Sequence, residues 1–244
     1  MRIYELIECL AGQAELLDLK IVVARNYESL PVNLASADID LIIARDDIVK
    51  WSECIERTSM TLGLDCNMAS QYYYCRQYAV MGLDDGPVRF DLLPILIWRG
   101  VKWGNTESVI AESIKYKDFI FKPKPIHEAL ITFCHSYLYG GFVKSKYVNH
   151  LQELIGQDFD GFELLLNNIF GERIGRDIFS ELNLGDVSKL DQFSKKRRIF
   201  LALRHGILHP MIFYSSLLKD IIFELNIKNE DRLLSESSKR IVKT

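Results

Sequence analysis

Apolar side chains recur at three- and four-residue intervals between Ile3 and Leu17 (Ile3, Leu6, Ile7, Leu10, Ala14, Leu17), a spacing that predicts an amphipathic helix. Lys20–Ala24 (KIVVA) is a short β-branched run and reads as a buried strand. Residues 25–37 break the pattern, with Pro31 inside, and read as a loop. Asp38–Ile43 (DIDLII) alternates and then turns wholly apolar, the pattern of a strand with one polar end. Helical spacing returns over Asp46–Leu62 through Ile48, Val49, Trp51, Cys54 and Ile55. Between Gln71 and Trp98 two runs rich in aromatic and β-branched residues flank Asp84-Asp85-Gly86-Pro87, which predicts a hairpin. Pro94 lacks a backbone donor, so the second of these strands is expected to be an edge or to turn irregular there.

Beyond Pro125 the spacing is helical throughout: HEALITFCHSYLYG, KSKYVNHLQELIG, FDGFELLLNNIFG, GRDIFSELNLG and a long stretch from Leu190 to Leu225, punctuated by glycines. The KPKP segment at 122–125 is the natural boundary. The expected plan is an α/β domain over 1–121 followed by a helical domain over 122–244.

Composition places few limits on this picture. The 244 residues are 48% hydrophobic and 26% charged, enough to bury a core without cross-links. The formal charge of −3 argues against stable nucleic-acid binding, which needs a basic surface. Residues 1–120 hold 12 basic and 18 acidic side chains against 18 and 15 in the remainder, so the first half suits a metal site better than a phosphate backbone, unless the difference is compositional scatter. Five cysteines with no CxxC pair read as reduced thiols. Glu5, Glu8 and Glu15 interrupt the N-terminal apolar pattern, and no apolar run approaches 18 residues. A cytoplasmic protein without a membrane span is expected.

The carboxylates carry the most chemistry. Asp38 and Asp40 are two apart on a strand and so share a face, with Ile39 and Leu41 on the other. Asp91 stands between Phe90 and Leu92 in a second strand, where an unpaired charge is costly. If those strands are neighbours, three carboxylates converge. Mg²⁺ takes such hard oxygen ligands together with substrate phosphates. Taken singly, DID also fits an ordinary strand start, and Asp91 could be a partner for Arg89 or Arg76.

A strand, a loop, a strand with Asp-x-Asp, a helix and a later strand with one embedded Asp together resemble the nucleotidyltransferase superfamily of polymerase-β-like enzymes. The similarity covers roughly residues 20–105 and is nearest to a bacterial group with RNYE-x-LP before DIDLL, loosely associated with surface-polysaccharide gene clusters. The resemblance implies an α+β fold, with a small mixed-sheet domain, flanking helices and an all-helical C-terminal domain closing the cleft. It implies Asp38, Asp40 and Asp91 as catalytic residues and ligands of Mg²⁺, or alternatively Mn²⁺. It further implies transfer of an NMP from an NTP to a hydroxyl of a small-molecule or sugar acceptor. The superfamily's Gly-Ser is replaced here by Arg25-Asn26. Arg25 could hold a phosphate bidentately, while Asn26 offers an amide donor and tolerates unusual backbone angles. The replacement equally fits a changed donor.

Further candidates for nucleotide or phosphate binding are Tyr27 and Ser29 in the same loop, Arg76 beside the Asp91 strand, and Lys144 and Lys146 at a helix start. Each also has a plainer reading: loop packing for Tyr27 and Ser29, neutralisation of Asp91 for Arg76, a solvated face for the lysines. His127 and His135 lack metal-ligand spacing and read as core or surface histidines. No GxSxG, GxxxxGK or GxGxxG motif occurs, which demotes hydrolase, P-loop and Rossmann readings. Two alternatives stay open: a fold that binds but has lost its chemistry, and a toxin–antitoxin component. For the latter, Arg204 and His209 match an Arg-x4-His spacing of helical RNases.

Overall fold

A computed structural model describes residues 2–33, 38–185, 187–219 and 221–222. They form two compact units, Met1–Trp98 with Lys102–Ile199, and Arg99–Val101 with residues from Phe200 onward.

The first unit is mixed α+β. It opens with α1 (Ile3–Leu16), β1 (Ile21–Val23), β2 (Asp38–Ile42) and α2 (Ile48–Thr61), close to the bounds that the hydrophobic spacing predicts. Three strands follow: β3 (Asp65–Gln71), β4 (Arg76–Met81) and β5 (Val88–Leu93). The Asp84–Pro87 turn joins the last two as expected. After α3 (Thr106–Ala111) come β6 (Ile114–Lys117) and β7 (Ile120–Lys122). The seven strands form one sheet in the order β3-β4-β5-β2-β1-β7-β6. β2 runs parallel to β5 and β1 parallel to β7, while β1 is antiparallel to β2.

One face of the sheet is apolar. Ile39, Leu41, Phe90 and Leu92 point from it into a core with Leu6, Leu10, Trp51 and Ile55 of α1 and α2. Burial of each such side chain contributes about 1.5–3 kcal/mol before entropy is counted. The other face carries Asp38, Asp40, Arg89 and Asp91, so alternation along β2 and β5 separates core from site.

Three sequence expectations need correction. Of the two outcomes expected at Pro94, the Asp91 strand is not an edge, because β5 lies between β4 and β2, but it does turn irregular there, ending at Leu93 with Pro94 in a bend where no ladder bond is lost. β3 has no sequence signal because it is a largely exposed edge strand without an apolar face. The compact unit also continues past 121/122. α4 (Pro125–Cys134) bonds through Glu128 to Tyr27 and, through the turn after it, to Arg25, tying the first helices of the second half to the sheet.

The helical series then runs through a π-helical turn (His135–Gly140), α5 (Val148–Ile155), α6 (Phe159–Phe170), α7 (Glu172–Asn183) and α8 (Val187–Leu208). Within the first unit Arg197 of α8 pairs bidentately with Glu181 of α7, at 2.6 and 2.9 Å. In the second unit the chain bends at His209 and is helical again from 210 to 219. Residues 220 and 223–225 of the long helix expected from the sequence lie outside the described residues. Among the described residues no helix is long and apolar enough to cross a membrane.

Candidate functional site

The parallel register of β2 and β5 sets Asp40 directly beside Asp91, and Asp38 beside Arg89. Because side chains alternate along strands, all three carboxylates emerge on one face, as the sequence predicts. Each is engaged. Arg25 Nε donates to Asp40 Oδ2 at 2.7 Å. Arg89 spans Asp38 at 2.8 Å and Asp91 at 3.3 Å. Gln77 Nε2 lies 3.1 Å from both oxygens of Asp91. Burial raises the proton affinity of Asp91, and the neighbouring Asp40 and Asp38 raise it further against the pull of Gln77 and Arg89.

Asp40, Asp91 and Gln77 floor a cleft of about 190 Å³ within the first unit, while Asp38 and Arg89 lie outside its lining. Arg25 and His135 form one wall, and Tyr72, Tyr74, Tyr139 and Trp103 form an aromatic wall. Arg25 follows the end of β1, where the Ala24 N–H still bonds to the Asp40 carbonyl, so the strand pairing itself delivers the guanidinium to the carboxylate. Asn26 then turns the chain at φ +56°, in the left-handed region that asparagine tolerates.

Other sequence candidates fall elsewhere. Tyr27 is buried, its hydroxyl donating to Glu128 at 2.7 Å and its ring edge-on to Tyr116. Burial and that bond push its phenol up, so it is a packing residue of the loop. Ser29 is half-buried in the same loop and does not line the cleft. Arg76 does pair across from the Asp91 strand, but opposite Leu92. The residue opposite Asp91 is Gln77, and Arg76 reaches Ser52 of α2 at 3.1 Å, on the far side of the sheet. Neither phosphate binding in this cleft nor neutralisation of Asp91 fits that position. Lys144 is exposed yet close enough to lower the basicity of His135, and exposed Lys146 lies over the Tyr147 ring at 4.8 Å.

Sequence reasoning missed His135, Gln77 and the tyrosines. Gln77 had a usable signal, since it follows Arg76 in the strand expected to pair with the Asp91 strand and is the residue that faces Asp91. His135 had none, because the π-helical turn alters the period that places it. That turn stacks His135 on Tyr139, with centroids 5.4 Å apart, and the Tyr139 hydroxyl donates to the Ile97 carbonyl. Arg25 Nη1 lies 2.8 Å from His135 Nδ1 and Nη2 lies 3.1 Å from Nε2. A neutral imidazole accepts at one nitrogen only, and the shorter contact selects Nδ1. Burial, followed by the Arg25 charge, lowers the His135 pKa to about 4, so the ring is neutral at pH 7.

This has a measurable consequence. Between pH 6.5 and about 4 the unfolded chain protonates this histidine and the folded chain does not, so folding stability falls as pH drops through that window. Asp91, whose affinity is raised, acts in the opposite sense above the ordinary carboxylate value. The His135→Gln variant is therefore expected to melt with a shallower acid slope than the wild type over pH 6.5–4. Parallel slopes in thermal melts would contradict the neutral, buried assignment.

Carboxylates, an amide and a guanidinium suit a cation–phosphate pair in their donor chemistry, and mutual repulsion around Asp91 favours an added cation. In this conformation two arginines supply that charge, and among the described residues no three His, Cys, Asp or Glu side chains draw together as a metal group. No family model, curated protein or solved structure matches the chain.

Proposed function

We propose that the chain is a metal-dependent nucleotidyltransferase, acting on an NTP and a hydroxyl of a small-molecule or sugar acceptor. The observation that carries the reading is the register match of Asp40 with Asp91 on parallel neighbouring strands at the floor of the cleft, with Asp38 two residues away on the same face. The resemblance of residues 20–105 to that superfamily supports the same reading. Mg²⁺ would be held by Asp40 and Asp91 with Asp38 beside them, and would supply charge neutralisation at the phosphates. Arg25 and Arg89, now on the carboxylates, are placed to move onto phosphate oxygens, which guanidinium binds bidentately. The acceptor hydroxyl would attack the α-phosphorus, pyrophosphate would leave, and Asp91, at the floor of the cleft, would accept the hydroxyl proton. Neutral His135 keeps Arg25 extended into the cleft.

A second reading, a nucleotidyltransferase-like module that binds without turnover, draws on the arginines occupying the carboxylates. Pyrophosphate release from each of the four NTPs with Mg²⁺ and a panel of sugars and polyols separates the two. Release that Asp91→Asn abolishes supports the enzyme, whereas nucleotide binding without release supports the module.

A further inference from the structure

The second unit carries a feature that the cleft does not use. Phe200, Ile207, Tyr214 and Ile221 recur at intervals of seven, with Met211 and Leu218 interleaved, so the spacing alternates three and four. This is the heptad seam that one helix presents to another. The first interleaved position, four residues after Phe200, is Arg204, and one polar residue in such a seam is the usual device for fixing register and strand number. The helical path continues across the bend: the His209 N–H bonds to the His205 carbonyl at 2.8 Å and the Phe213 N–H to the His209 carbonyl at 2.9 Å. The six apolar seam residues are each between 47% and 83% exposed. At about 150–200 Å² for a fully exposed large side chain, they and the flanking Leu203, Leu208 and Ile222 offer roughly 900 Å². That matches the roughly 800 Å² that each partner gives to a stable interface and exceeds the largest apolar patch of an ordinary monomer, about 300–600 Å².

We propose that this face is covered by the same face of a second copy of the chain, in a two-fold symmetric helix pair. A heptad seam selects a helix of like pattern, and a two-fold contact places the same residues on both sides. The area equals one partner's share of a standard dimer, so a single further copy satisfies it. The pairing is independent of the chemistry proposed for the cleft.

Full-length protein measured by light scattering after size exclusion, over 1–100 μM, tests it. The wild type is expected at twice the chain mass. Ile207→Glu combined with Leu218→Glu is expected at the chain mass, with unchanged far-ultraviolet dichroism, because both side chains are exposed in the single chain. Leu16→Glu, an exposed apolar position outside the seam, is the control and is expected to remain a dimer. A wild type at the chain mass throughout would overturn the proposal, as would a dimer indifferent to the double substitution. Flotation of a monomeric wild type with anionic vesicles, lost in the double variant, would assign the face to a membrane surface and also overturn it.

Discussion

Asp40→Asn is expected to lower nucleotidyl transfer by about 10²–10³-fold or more, the scale seen when one group neutralising transition-state charge is removed. Asparagine keeps an acceptor for Arg25 but removes the negative charge that the proposed site needs. Arg25 retains His135 as a second partner, so the fold is expected to survive with little change in melting temperature. Asp91→Asn belongs in the same class, since Asp91 lies beside Asp40 in register and is buried to a similar degree. Asp38→Asn should cost far less, roughly tenfold, because its side chain is 41% exposed at the strand end and its charge is screened. Steady-state rates on the three variants check the ranking. Equal rates for wild type and Asp40→Asn would remove the carboxylate pair from the chemistry.

The largest expected loss of stability is at Glu181→Ala. Glu181 and Arg197 are both buried and paired through two hydrogen bonds, locking α8 to α7. Truncating the acid leaves a guanidinium buried without its counter-charge, which costs about 3–5 kcal/mol. For a chain of this size that is a fall of roughly 10 °C in the melting temperature. Replacing both partners with apolar residues of similar volume, Glu181→Leu with Arg197→Met, is expected to recover most of the loss, since the pair itself contributes little net stability. Calorimetry of the single and double variants measures both effects. A Glu181→Ala protein melting within 2 °C of the wild type would show that the pair is not desolvated.

The sequence made the sheet's core strands and the carboxylate face readable because both rest on local periodicity. KIVVA and DIDLII are strands by composition, and the two-residue period alone puts Asp38 and Asp40 together. Whether Asp91 joined them depended on β2 and β5 being neighbours, a non-local fact that local pattern supports without fixing. Arg76 shows the limit. Its strand was placed correctly, but which face it took hung on the register with β5, and a shift of one residue exchanges Arg76 for Gln77. His135 escaped for another reason: it packs on Arg25 from 110 residues away, across a turn whose period is not that of an α-helix. β3 and β6 were invisible because exposed strands carry no apolar alternation. The tyrosine wall likewise forms only when the turn between β3 and β4 meets the π-helical turn, where Tyr74 and Tyr139 come within 6.4 Å.

In the proposed site, carboxylates, a cation and a nucleotide meet. Thermal melting of wild type and Asp40→Asn with each of four NTPs, with and without Mg²⁺, tests this most directly, since a ligand bound only by the folded state raises the midpoint by mass action. A rise of several degrees is expected for at least one nucleotide, dependent on Mg²⁺ and absent in Asp40→Asn. Unchanged midpoints for all four nucleotides, or a rise that persists in the variant, would contradict it.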